Sequence, residues 1–99
     1  LEQIYSIDEL RSILSPVFVR YGVKRAVLFG SYVKDCATGK SDVDLLVDSG
    51  LRGLRFIGLS EELRSALRKD VDVFDVSHIK PHSLIEREIR DTGVTLYEK

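Results

Sequence analysis

From Leu10 through Ile13, Leu14, Val17 and Phe18 to Tyr21, apolar residues recur at the spacing that gathers them on one face of a helix. Ser6-Ile7-Asp8-Glu9 ahead of them has the form of a capping box, which predicts the helix start, and Gly22 predicts its end. Within the run, Ser15-Pro16 reads either as a fresh N-cap with Pro at the first helical position or as a kink. Two short β-branched and apolar runs follow, Arg25 to Phe29 and Val43 to Val47, both of strand length. Between them, Ser31 to Ala37 has room only for a short helix. Leu59, Leu63, Ala66 and Leu67 then form the stripe of an amphipathic helix from about Leu54 to Leu67, and the alternating charges from Glu61 to Lys69 read as its solvated side. Val71 to Val76 is a third strand. Ser77 and Pro81 mark a last helix with Leu84, Ile85 and Ile89 as its buried side; Gly93 stops it, and Val94 to Tyr97 makes a final short strand.

Helix and strand therefore alternate four times, which argues for an α/β layer structure, a small sheet packed against helices, without fixing the strand order. At 99 residues the chain is read as one domain, with a single modest core. Fifteen basic residues against sixteen acidic ones leave a net charge of -1, so no general attraction for a nucleic-acid backbone or an anionic membrane is expected. The longest uncharged apolar stretch, Ala26 to Val33, is too short to span a bilayer. A lone cysteine, Cys36, excludes an intrachain disulfide and suits a reducing cytoplasm, where we place the chain. The chain begins at Leu1 and has no Met, so its translation start is expected upstream.

Chemistry enters at the head of the second strand. Residues two apart in a strand share a face, so Asp42 and Asp44 project together while Val43, Leu45 and Val47 fill the other side. Two carboxylates about 7 Å apart at the backbone can converge on one hard cation, the oxygen chemistry that Mg²⁺ prefers. Without a metal they repel, and at least one pKa rises. Asp72 stands in the same way at the start of the third strand and completes a metal set that can bind a nucleoside triphosphate; Asp70 shares its face as a weaker candidate, and Asp75 has the opposite parity. Gly30-Ser31 ends the first strand where a loop enters a short helix, so its free amides, a close backbone approach and a hydroxyl suit a phosphate. Lys34 and Lys40 are read as loop lysines, His78 and His82 as surface or capping residues, and Cys36 and Tyr32 as packing residues.

Gly30-Ser31, ten residues, Asp42-x-Asp44, and then Val71-Asp72-Val73-Phe74 resemble the signature of the DNA polymerase β-like nucleotidyltransferase superfamily. The run Arg25-Ala26-Val27-Leu28-Phe29-Gly30-Ser31-Tyr32 and the ending Gly93-Val94-Thr95-Leu96-Tyr97 resemble its minimal (MNT) branch. The resemblance implies a small mixed sheet flanked by helices, Gly30 and Ser31 on the triphosphate, and Asp42, Asp44 and Asp72 on Mg²⁺. It further implies AMP transfer from ATP to a hydroxyl, commonly a tyrosine of a HEPN-domain toxin that the minimal members neutralise as antitoxins. Where the family often has a basic residue followed by glycine after the Gly-Ser turn, this chain has Lys34-Asp35, with Gly39 later. That departure motivates a second reading, a catalytically weak or inactive binding protein that neutralises its partner by complex formation.

Overall fold

A computed structural model describes residues 4–33 and 42–99. The capping box closes as the sequence predicts: the Ser6 hydroxyl accepts from the Glu9 N–H at 3.1 Å, and Glu9 Oε1 accepts from the Ser6 N–H at 2.8 Å. From there α1 runs over Ile7–Arg20 as one helix with Pro16 inside it, so Ser15 is not an N-cap. The Ser15 hydroxyl donates instead to the Arg11 carbonyl at 2.6 Å, and Pro16 lies on the exposed side of the helix, where a carbonyl left without its amide donor meets water. Gly22 at φ +68° closes the end, with the Val23 N–H on the Phe18 carbonyl and the Gly22 N–H on the Val19 carbonyl.

Four strands follow the expected runs closely: β1 (Arg25–Phe29), β2 (Val43–Asp48), β3 (Val71–Asp75) and β4 (Val94–Glu98). Their order in the sheet is β3-β2-β1-β4, with β1 antiparallel to both β2 and β4 and with β2 parallel to β3. The sheet is therefore mixed, and the parallel pair is joined by the crossover helix α2 (Leu54–Leu67). Val43, Leu45 and Val47 of β2 point into the core together with Leu28, Val71 and Leu96, where α1 covers them with Leu10, Leu14 and Phe18 and α2 with Leu59, Leu63 and Leu67. Ala66, expected in that stripe, is exposed, and Ser60 is buried in its place, its hydroxyl donating to the Phe56 carbonyl at 3.1 Å. The polar side of α2 is not purely solvated either. Glu62 pairs with Arg20 and accepts from the Tyr21 hydroxyl at 3.0 Å, fastening α2 to the end of α1.

The last helix departs most from expectation. α3 is Leu84–Thr92 and its N-cap is Ser83, whose hydroxyl accepts from the Glu86 N–H at 3.2 Å. Ser77 belongs instead to a 3-10 turn over Val76–His78. Leu84, Ile85 and Ile89 were expected to be buried, yet no residue of α3 is; Leu84 is 84% exposed. The cause is that α1 and α2 already fill the core face of the sheet, so α3 rests on the opposite face by one edge. Gly93 makes that approach possible, since a Cβ added there would lie 2.7 Å from Val27 Cγ1 of β1. Among the described residues no helix is long and apolar enough to cross a membrane.

Asp75, buried on the core side as its parity demands, ties the ends of β2 and β3 together. The Ser49 N–H and hydroxyl donate to its Oδ1 at 3.1 and 2.6 Å, and the Ser77 N–H and hydroxyl donate to its Oδ2 at 3.0 and 2.7 Å. Burial alone would raise its pKa, but these four hydrogen bonds outweigh it and bring the carboxyl down to about 2. A carboxylate held below its free value stabilises the fold above about pH 4, and that contribution is lost as pH falls toward 2. Asp75→Ala strands the Ser49 and Ser77 donors, and an expected loss of about 2–4 kcal/mol is checked by urea unfolding at pH 7. At pH 2 the variant and the parent differ much less.

Candidate active site

Phe29 faces Asp44 across the antiparallel pair, and Asp44 faces Asp72 across the parallel pair. One rung of the sheet thus carries Phe29, Asp44 and Asp72 on the face away from the core. Asp42 lies exposed just ahead of β2, with the same parity as Asp44. Gly30 follows Phe29 at φ +82°, and a Cβ built on it would collide with Asp44 Oδ2. The turn is thus packed against the carboxylate, a contact that only glycine permits. Gly30–Tyr32 form a single 3-10 turn that the Val33 N–H closes on the Gly30 carbonyl at 3.1 Å. Of the short helix expected over Ser31 to Ala37, only this start is described. Lys34, Asp35, Cys36 and Lys40 lie outside the described residues.

Asp44 is pushed up to about 6. Burial is the main cause, followed by the charge of Asp72 and a hydrogen bond with it, then the charges of Asp42 and Glu88. The apolar surroundings come from Phe29, which is buried, and Phe74, whose rings pack with centroids 5.9 Å apart. Asp70 does not join this set. It is exposed, and its backbone carbonyl accepts from the Val43 N–H at 3.1 Å where β3 begins. Among the described residues no group of three or more His, Cys, Asp or Glu side chains is positioned to hold a metal ion. The structure therefore brings Asp44 and Asp72 together with the Gly30 turn and leaves Asp42 nearby, acting through its charge. Two adjacent carboxylates, one of them pushed up by burial and by its neighbours' charges, fit a divalent cation, whose charge would offset that penalty on Asp44.

Three contributors escaped the sequence reading. Glu88, brought to Asp44 by α3, had no signal because the resting face of that helix depends on the sheet beneath it. Phe29 and Phe74 read as ordinary strand apolars, and only register shows them meeting beside the carboxylates. The lesser candidates behave as expected: His78 accepts from the Asp75 N–H through Nδ1 at 3.4 Å, His82 is exposed, and Tyr32 packs against the core. Lys69, which closed the charged run of α2, lies beyond the helix with its Nζ 5.5 Å from the centre of the Tyr32 ring.

The family model described as polymerase beta, nucleotidyltransferase matches residues 13–99. The protein adenylyltransferase MntA of Thermococcus cleftensis is 39% identical over 83 residues, covering 76% of this chain and 82% of that protein. MJ0435 of Methanocaldococcus jannaschii is 37% identical over 78 residues, covering 77% of this chain and 84% of that one. Among solved structures, the fold is similar to a complex of tri-AMPylated Shewanella oneidensis HEPN toxin with MNT antitoxin. The TM-score is 0.71 at 21% identity, covering 94% of this chain and 73% of that chain.

Proposed function

Because the chain belongs to the polymerase beta nucleotidyltransferase family, we propose that it transfers AMP from ATP to a hydroxyl of a partner protein. We take the acceptor to be a tyrosine of a HEPN-domain toxin, which the chain neutralises as its antitoxin in the cytoplasm. The observation that carries this reading is the rung itself, with Asp44 and Asp72 side by side and the Gly30 turn pressed against Asp44. Support for the reaction comes from the relative named as a protein adenylyltransferase, and for the partner from the structural neighbour whose HEPN toxin is AMPylated.

Asp44 and Asp72 would hold Mg²⁺, with Asp42 turning in beside them as the third ligand. When bound, Mg²⁺ neutralises the triphosphate and lowers the pKa of an attacking hydroxyl. Gly30 and Ser31 bind the β- and γ-phosphates through backbone N–H groups and the Ser31 hydroxyl, which orients the α-phosphate over the carboxylates. Asp72, exposed at the sheet edge where a partner has access, accepts the proton of the incoming hydroxyl. The acceptor oxygen bonds to the α-phosphorus, the bond to the β-phosphate bridging oxygen breaks, and pyrophosphate leaves.

The test is incubation with α-labelled ATP, Mg²⁺ and a HEPN toxin encoded beside this chain. Label is expected on the toxin, together with loss of its ribonuclease activity, and Asp72→Asn should label it at least about a hundredfold more slowly. A toxin that is neutralised without acquiring label, equally well by Asp72→Asn, would reject the transfer and establish the inert-binder reading.

A further inference from the structure

On the same sheet face as the carboxylates lies a cavity of ≈ 360 Å³ between α3 and the strands. Its apolar walls include Val27, Leu46 and Ile89, and its polar side includes Arg25, Glu86 and Arg90. Glu86 is the third residue of α3, a position from which a glutamate commonly bonds back to the N-cap amide. Here that amide, the Ser83 N–H, goes to the Lys80 carbonyl at 3.3 Å, and the Glu86 side chain turns to the cavity. Its Oε1 accepts from Arg90 at 3.2 Å, while Oε2 is buried with no hydrogen-bond partner among the described residues. A buried carboxylate oxygen lacking a donor is an unmet acceptor, and a ligand N–H would satisfy it.

The position of the cavity matters as much as its lining. Leu46 is the residue after Asp44 on that face of β2, one pleat repeat or about 7 Å away. The Phe29 and Phe74 rings meet across β2 between the two positions. A nucleoside whose α-phosphate lies at Asp44 can therefore extend over an aromatic ledge and place its base under α3. We propose that this cavity is a nucleobase site: Val27, Leu46 and Ile89 hold the ring, and Glu86 Oε2 accepts a hydrogen bond from an exocyclic amino group such as that of adenine. The proposal rests on the reading of the Asp44 rung as the triphosphate site. Arg25 and Arg90 supply donors for ring nitrogens, and a base with a carbonyl in place of the amino group sets acceptor against acceptor.

The experiment is calorimetric titration of the full chain, in Mg²⁺, with ATP, with the purine ribonucleoside triphosphate lacking the 6-amino group, and with inorganic tripolyphosphate. Wild type is expected to bind ATP at least about tenfold more tightly than the deamino nucleotide, the worth of one hydrogen bond to a charged acceptor. In the isosteric Glu86→Met, that preference should fall to within about twofold. Ile89→Phe, which fills the cavity, should weaken ATP about tenfold while leaving tripolyphosphate affinity unchanged, and it keeps the idea testable if Glu86→Met fails to fold. Equal affinity of wild type for ATP and the deamino nucleotide overturns the base site and leaves the transfer reading standing. Preference retained in folded Glu86→Met overturns it equally. If neither ATP nor tripolyphosphate binds, the triphosphate reading falls and the base site falls with it.

Discussion

Asp44→Asn is expected to abolish AMP transfer, by about a thousandfold or more, while raising the melting temperature of the metal-free protein. The two effects have one origin. Asp44 titrates near 6 in the folded protein against 3.8 for the free group, so the folded state holds its proton more tightly than the unfolded chain does. A raised carboxyl pKa destabilises the fold once the group ionises: the cost is absent below about pH 4, grows through pH 6 and is complete above it. Asn carries no such cost. Allowing for partial exposure, the gain at pH 8 is about 2 kcal/mol, or about 10 °C in a domain of this size, and it vanishes at pH 4. Melting curves at both pH values in a chelator, beside labelling assays, check the pair of effects. A variant that loses activity and melts lower at every pH would show Asp44 to be a structural residue instead.

Gly30→Ala should be nearly as damaging to transfer, for a reason of shape. The residue stands at φ +82°, and the new methyl group would occupy the space of Asp44 Oδ2. Either the turn or the carboxylate must move, and a misplacement of about 1 Å at a reacting centre costs about a hundredfold in rate. Backbone strain adds about 1–2 kcal/mol of lost stability. Gly22→Ala is the matched control, because Gly22 also has a positive φ, +68°, but an added Cβ meets nothing within 4 Å. It should lose comparable stability and keep full transfer activity. Equal loss of activity in both variants would indicate that strain alone, and not contact with Asp44, explains the effect.

Much of this was legible from local chemistry. The Ser6 capping box, the Gly22 stop, the span of α2 and the four strands to within one residue at their ends follow from periodicity and end signals, which act within a few residues. Errors occurred where a local signal had two readings. Ser15-Pro16 looked like a helix start, but a helix held by Leu10, Leu14, Val17 and Phe18 in the core continues through one missing amide. Ser77 and Pro81 looked like helix starters too, yet Asp75 draws Ser77 into its own cap, and Ser83 takes the role instead.

The side on which each strand residue lies was determined by the sequence alone, because the two-residue period of a strand is a property of the backbone. It placed Asp42 with Asp44 and set Asp75 apart from Asp72. Which side chains meet across strands depends on how the sheet is assembled, beyond any local signal. Register joins Asp44 to Asp72 and Phe29, and the packing of Gly30 on Asp44 makes the turn part of the same centre. The face on which α3 rests was decided in the same way. Its three apolar residues are too few to choose a side, so the face left open by α1 and α2 chose for them, bringing Glu88 toward Asp44 and Glu86 to the cavity beyond.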